Sequence, residues 1–332
     1  MIDRTIPLIE LHRHLDGNVR LDTILELSRK HNLPLPATDR EGLRPFVQVT
    51  DPQPGVMAFI SKFKWMTAIL VDFDACRRVA YENVEDASKE GIDYIELRFS
   101  PWFMAETHAL NPAGVVEAIV DGVKAGQRDF GVQVNLIGIL SRTYGPETAH
   151  QELDALWSHR SHLCALDLAG DEANFPAEWF KEHFHKARDA GWHITIHAGE
   201  SAGPRSIWQA ITDLNAERIG HAIRASDDPE LIEYMAEYHI GVESCLTSNV
   251  QTSCVDDYPS HPLRTFLERG ILATLNTDDP GISNISLEYE YTVAAPLAGL
   301  SSNQIRQTQL NALEVAFLRP EQKKALLDRK SS

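Results

Sequence analysis

Residues 6–17 read Ile6-Pro7-Leu8-Ile9-Glu10-Leu11-His12-Arg13-His14-Leu15-Asp16-Gly17: a short apolar run that ends in two histidines separated by one residue. The run predicts a strand over about 7–13, and side chains at i and i+2 of a strand point to the same face, so the two imidazoles converge. This is a spacing for metal ligands. Neutral imidazole suits zinc among the common divalent ions, and a catalytic zinc keeps three or four protein ligands with room for a water. Two hydrogen-bonded or surface histidines would read the same way in isolation, so the remaining ligands have to be found elsewhere in the chain.

Working outward, further short β-rich runs lie at Tyr94-Phe99, Val132-Leu140, Cys164-Leu168, His193-His197, Arg218-Gly220, Ile240-Ser244 and Ile271-Asn276. Amphipathic stretches such as Ala75-Lys89, Val115-Phe130, Glu178-Ala190, Ile207-Leu214, Pro229-Tyr238 and Pro262-Glu268 fall between them. This alternation predicts a parallel sheet covered by helices, and eight such units favour a closed (β/α)8 TIM barrel of the α/β class over an open doubly wound sheet. The interval from 15 to 93 is too long for one crossover and must hold extra helices between the first and second strands. Within it, Phe59-Ile-Ser-Lys-Phe-Lys-Trp-Met66 is either a lid over the barrel mouth or a stretch packed on the barrel's outside; periodicity leaves both open. No low-complexity tract or Gly/Ser linker divides the chain, so residues 1–332 are read as a single domain.

The polar residues gather at the carboxyl ends of these runs. His12 and His14 end the first, Asp167-Leu-Ala-Gly170-Asp-Glu172 the fourth and His197-Ala-Gly-Glu200 the fifth; His221 follows the sixth, and Asn276-Thr-Asp278-Asp279-Pro280 ends the eighth. Barrel enzymes place their chemistry on this face, from several different strands. Singly, His197 could be a core histidine and Asp278 a helix cap. Together they fit three imidazoles and one carboxylate, with Glu200 and His221 left over as proton carriers.

The charge balance excludes other classes. Lys and Arg number 31 against 48 Asp and Glu, a net charge of −17, which disfavours binding to a phosphate backbone, so nucleic acid is not expected as a partner. No segment reaches membrane-spanning length without charges, and Met1-Ile2-Asp3-Arg4-Thr5 does not open a secretory signal, so the chain is read as soluble and cytoplasmic. Cys76, Cys164, Cys245 and Cys254 lie far apart and form no Cys-x-x-Cys; they read as small buried hydrophobes rather than as a disulfide framework or a thiolate metal site.

The strings His12-Arg-His14-Leu-Asp16-Gly17, Ser100-Pro101, Asp167-Leu-Ala-Gly170-Asp-Glu, His197-Ala-Gly-Glu200, Gly220-His221, Ser248-Asn249 and Thr277-Asp278-Asp279-Pro280 closely resemble the adenosine deaminase family, over about residues 6–318. The resemblance implies a (β/α)8 barrel of the amidohydrolase type with one Zn2+ per chain. It also implies hydrolysis of adenosine, and of 2′-deoxyadenosine, to inosine or deoxyinosine and ammonia, in purine nucleoside salvage or catabolism. By matching position, His12, His14, His197 and Asp278 would be zinc ligands. Glu200 would protonate purine N1, and His221 would orient and help deprotonate the attacking water. Asp279 would hydrogen-bond N7, the Gly170 amide would meet N3, and Asp16 would lie near the ribose 5′-hydroxyl.

Elementary chemistry agrees with this assignment. Attack on an aromatic carbon breaks aromaticity and needs a proton at the ring nitrogen, the task left for Glu200. Zinc deaminases of cytosine or of bases in nucleic acid use His-x-Glu with Pro-Cys-x-x-Cys, and the chain has neither string. Binuclear amidohydrolases generally carry a lysine at the end of the fourth strand, whereas here the run ends Leu166-Asp167-Leu168-Ala169-Gly170, so one metal is expected. The chain departs from the family at Ala222, where glycine is usual; if that position needs positive φ, alanine strains the loop beside His221. Two other readings stand beside adenosine deamination: a deaminase of adenine or a modified purine, against which His14-Leu-Asp16-Gly17 argues because adenine-specific relatives more often have His-Leu-Glu-Gly, and a catalytically silent purine-binding barrel, against which the complete set of ligands and proton carriers argues.

Overall fold

Ile9–His14 forms strand β1, every residue of it buried. In the computed structural model, which describes residues 2–330, seven more strands follow: β2 (Tyr94–Phe99), β3 (Gln133–Ser141), β4 (Leu163–Ala169), β5 (His193–Ala198), β6 (Arg218–His221), β7 (Gly241–Ser244) and β8 (Leu272–Leu275). All pair in parallel, each with its sequence neighbour, in one sheet of order β1 to β8. The seam between β8 and β1 is closed just beyond β8, where the Asp278 N–H donates to the His12 carbonyl and the His14 N–H to the Asp278 carbonyl, each at 2.8 Å. Below it, the Asn276 side-chain oxygen accepts the Leu11 N–H at 3.0 Å. The expected barrel is therefore present, with strand ends moved by a residue or two.

The named amphipathic stretches are helical at nearly their expected positions, among them Phe73–Lys89, Pro112–Phe130, Pro204–Leu214 and Pro229–Glu237. The stretch 178–190 begins instead as a 3₁₀ turn, Ala177–Phe180, before its helix Lys181–Asp189. The helix Gly145–Trp157 after β3, which the sequence reading did not single out, opens on Gly145-Pro146, a turn signal, although Ala149, Leu153 and Leu156 form its buried stripe. The interval between β1 and β2 holds the extra helices, including Leu21–His31, Arg40–Val47 and Val56–Ile60.

The barrel interior carries a column of charge as well as aliphatic layers. Arg98 on β2 pairs with Asp167 on β4 at 2.8 Å and with Glu243 on β7 at 2.7 Å, and all three are fully buried. Arg218 on β6 binds the other Glu243 oxygen at 2.6 Å and also Glu96, while the ring of Phe317 closes the bottom 3.6 Å from its guanidinium. Buried ion pairs give little net stability by themselves because desolvation offsets their attraction. Their consequence here is positional, since Asp167 and Glu243 also reach up to the histidines of the mouth.

Candidate active site

Eight of the nine expected site residues line one cavity of about 220 Å³ at the carboxyl ends of the strands: His14, Asp16, Gly170, His197, Glu200, His221, Asp278 and Asp279. The ninth, His12, lies just behind them with no solvent exposure. Val56, Met57, Phe59, Ile60 and Phe63 line the same cavity, so the first part of the aromatic-apolar stretch faces the mouth, whereas Met66 is buried in the core.

Proton positions divide the histidines into two kinds. Burial opposes ionisation of Glu243, but Arg98 and Arg218 outweigh it and hold that carboxyl well below the usual range; for Asp167, likewise buried, the Arg98 charge and the hydrogen bond from His197 do the same. Both are thus ionised and can only accept hydrogen bonds. His12 Nδ1 lies 2.6 Å from Glu243 and His197 Nδ1 3.1 Å from Asp167, so each ring donates through Nδ1–H and keeps a lone pair on Nε2. Those lone pairs face one another's neighbours. His12 Nε2 is 3.2 Å from Asp278 Oδ1 and is buried without a hydrogen-bond partner, while His14 Nε2 lies 3.2 Å from His197 Nε2 and 3.3 Å from Asp278 Oδ1. Burial pulls the His197 pKa down to about 3, which leaves the ring neutral. A buried His12 nitrogen without a partner, set beside two further ring nitrogens and a carboxylate oxygen, is what a cation satisfies.

His221 shares the neighbourhood: its donor atom and those of His12, His197 and Asp278 lie within 4.8 Å of one another. Its proton, however, is placed differently. His261, held neutral by burial at a pKa of about 3, accepts the Leu263 N–H at Nδ1 (3.1 Å), so its proton sits on Nε2 and is donated to Asn249 Oδ1 at 3.2 Å. The Asn249 amide then donates to His221 Nδ1 at 3.0 Å. Neutral His221 consequently carries its proton on Nε2 and presents a donor to the cavity, 3.7 Å from Glu200 and 3.9 Å from Asp278. This tautomer serves the orienting half of the role expected for His221, not the proton-accepting half.

Glu200 sits opposite the histidines, and burial pushes its carboxyl up to about 7. Burial and the adjacent Asp278 likewise raise Asp279 well above the carboxylate range. Asp278 is braced by Ser248, whose hydroxyl donates to it at 2.6 Å. Gly17 makes room for Asp279, since a Cβ there would stand 1.7 Å from its Oδ1. Gly170, which lines the cavity wall, adopts φ +111°, open only to glycine.

Ala222 adopts φ 55° and ψ 23°, so the strain expected at this departure is present. His221 is nevertheless in place. A left-handed alanine costs roughly 1–2 kcal/mol, against about 0.8 kcal/mol for the buried methyl and 0.4–1 kcal/mol of extra unfolded-chain freedom for glycine. Ala222→Gly should therefore change unfolding stability by no more than about 1 kcal/mol, with catalysis intact, as measured by denaturant midpoints at constant slope. A larger loss would show that the methyl is needed for packing.

Sequence reasoning missed Glu243 and Arg98, which act across the barrel, and His261, which acts through Asn249, and gave Asn249 and Ser248 no task although it quoted both. A family model described as Adenosine deaminase matches residues 7–331. An adenosine deaminase of Vibrio cholerae serotype O1 is 60% identical over 327 residues, covering 98% of each chain. Among solved structures, an adenine deaminase from Arthrobacter aurescens superposes with a TM-score of 0.90 at 24% identity, covering 98% of each chain. A cog1816 amidohydrolase from Burkhoderia ambifaria, with bound Zn, superposes with a TM-score of 0.87 at 25% identity, covering 99% of this chain and 90% of its own.

Proposed function

The chain belongs to the adenosine deaminase family, hydrolytic deaminases that turn adenosine into inosine and ammonia, and from that premise we propose how its own residues carry out the reaction. The observation that carries the proposal is the convergence of His12, His14, His197 and Asp278 on one buried point, with two of the rings fixed by carboxylates to present Nε2 lone pairs. These four residues are the ligands of a single Zn2+. A zinc held there supplies a water whose pKa is lowered to about 7, enough to attack purine C6 at neutral pH.

The rest is done by the chain. Glu200, buried and near neutrality in its pKa, holds the proton that N1 needs as C6 becomes tetrahedral, and it is reloaded by one proton of the attacking water. The other water proton leaves with the 6-amino group as ammonia when the C6–N6 bond breaks, and the N1 proton stays in inosine. His221 points its Nε2–H at the attacking oxygen and fixes its approach. Asp279 faces N7 and the Gly170 amide faces N3.

Substrate choice follows from the mouth. Asp16 is buried, and one of its oxygens accepts the Ser100 N–H at 3.3 Å while the other, 3.8 Å from His14 Nδ1, has no hydrogen-bond partner, which suits the ribose 5′-hydroxyl. Among the described residues that line the cavity there is no Lys or Arg. A 5′-phosphate would meet a buried carboxylate instead of a cation, a like-charge contact that costs several kcal/mol. Adenosine and deoxyadenosine should therefore exceed AMP in kcat/KM by about 10²-fold or more, and adenine, without the sugar, should also fall well below adenosine. Steady-state kinetics on the four compounds tests this. AMP or adenine turned over as well as adenosine would refute the nucleoside assignment, and Asp16→Ala should impair adenosine turnover with zinc retained.

A further inference from the structure

Glu172 ends the string Asp167-Leu-Ala-Gly170-Asp-Glu172 and has no part in the chemistry above, yet its carboxylate is placed in an unusual way. Oε1 accepts the N–H of Gly199 at 2.5 Å, and Oε2 accepts those of Glu200, Ser201 and Ala202 at 3.1, 2.9 and 3.1 Å. Four successive peptide donors wrapped around one anion form a nest, and Glu172 fills it while only 5% exposed. The wrap depends on Gly199, at φ +71°, where a Cβ would also stand 2.4 Å from Ile207.

The nest lies beyond the end of the β4–β5 ladder. The β4–β5 ladder registers only Ala165 with His193 and Leu166 with Ile194, so beyond it the carboxyl ends of these two strands run toward the cavity unpaired with each other, β4 held only by β3 up to Ala169 and β5 only by β6 up to Ala198. Arg142 and Glu172 span that gap. The fully buried Arg142 guanidinium donates to the Leu168 carbonyl of β4 at 3.2 Å and to the His197 carbonyl of β5 at 2.7 Å. Burial lowers its pKa, and Glu172 is the anion that opposes this most. The backbone that carries Glu200 is thereby held from beneath by a carboxylate on the loop after β4.

We propose that Glu172 is a positioning residue for Glu200: by anchoring the amides of residues 199–202 it fixes the place from which the Glu200 carboxyl meets purine N1. The proposal rests on the reading of Glu200 as the proton donor to N1. A glutamine at 172 has one carbonyl oxygen instead of two and turns an NH₂ toward amide donors, leaving at least one buried N–H without an acceptor. The loop must then move, and a misplacement of about 1 Å at a catalytic group can cost on the order of 10²-fold in rate.

The test is a double-mutant cycle of Glu172→Gln and Glu200→Gln in the full-length zinc-loaded protein. It reads kcat, KM for adenosine, zinc content, and affinity for a tetrahedral 6-hydroxyl purine nucleoside analogue whose binding uses the Glu200 carboxyl. Glu172→Gln should lower kcat by about 10- to 100-fold, leave KM within a few-fold and zinc at its full level, and weaken the analogue in parallel. In the Glu200→Gln background the same change should alter analogue affinity by less than about threefold, because its effect passes through the group already removed. An equal loss in both backgrounds, or loss of zinc, overturns the proposal. Glu172→Asp keeps both oxygens on a shorter stem; should Glu172→Gln fail to fold, Glu172→Asp must show a smaller kcat loss that likewise vanishes without Glu200, and full activity in it counts against the proposal. Near-normal kcat in Glu200→Gln alone would instead remove the reading of Glu200, whereas an impaired Glu200→Gln beside a fully active Glu172→Gln sinks only the role of Glu172.

Discussion

Glu200→Gln should lower kcat by roughly 10²–10⁴-fold while zinc content and ground-state affinity for adenosine change little. Glutamine keeps the shape and hydrogen-bonding reach of the side chain and removes only its transferable proton. The lost interaction develops as C6 becomes tetrahedral, so it belongs to the transition state and falls on kcat rather than on KM. Burial holds the native carboxyl at about 7, near the pH at which an acid both carries its proton and gives it up readily. A tetrahedral 6-hydroxyl analogue, whose protonated N1 meets the same group, should weaken alongside kcat. Zinc loss on this substitution would make Glu200 a ligand, and an unchanged kcat would return the proton-donor role to another group.

His12→Ala and Asp278→Ala should abolish metal binding and turnover together. Each ligand is held from behind, His12 by Glu243 and Asp278 by Ser248, so removing one leaves the others fixed around a cavity and unable to collapse onto the ion. Metal analysis of each variant after gel filtration, beside the rate, checks this. His221→Ala discriminates between the two kinds of histidine: with its proton on Nε2 it is no ligand, so zinc should remain while kcat falls. Zinc lost from His221→Ala and retained by His14→Ala would exchange their roles.

The barrel was legible because alternating β-rich and amphipathic runs carry their own periods, and the site because barrel chemistry collects at the carboxyl ends of strands, where His12, His197 and Asp278 stood in plain view. What was not legible acts across the barrel. Glu243 and Arg98 are 145 residues apart, and only closure of the sheet sets them under the histidines; in sequence Glu243 is the one charged residue of β7 and Arg98 one of two in β2, with nothing to connect them. The proton on His221 is likewise decided two hydrogen bonds away, by His261 and Asn249, which no spacing rule connects. The helix Gly145–Trp157 was hidden by its Gly-Pro start, and Ala222 shows that a backbone strain read from one substitution can be present and still leave the neighbouring histidine in place.

The central claim, that one metal held by His12, His14, His197 and Asp278 turns over adenosine, is tested most directly by stripping the protein with a chelator and titrating zinc back while inosine formation is followed. Activity should be absent at the start, rise linearly with added zinc, and reach its plateau at one equivalent per chain. Full turnover by protein shown to be metal-free, or a plateau reached only at two equivalents, would contradict the account.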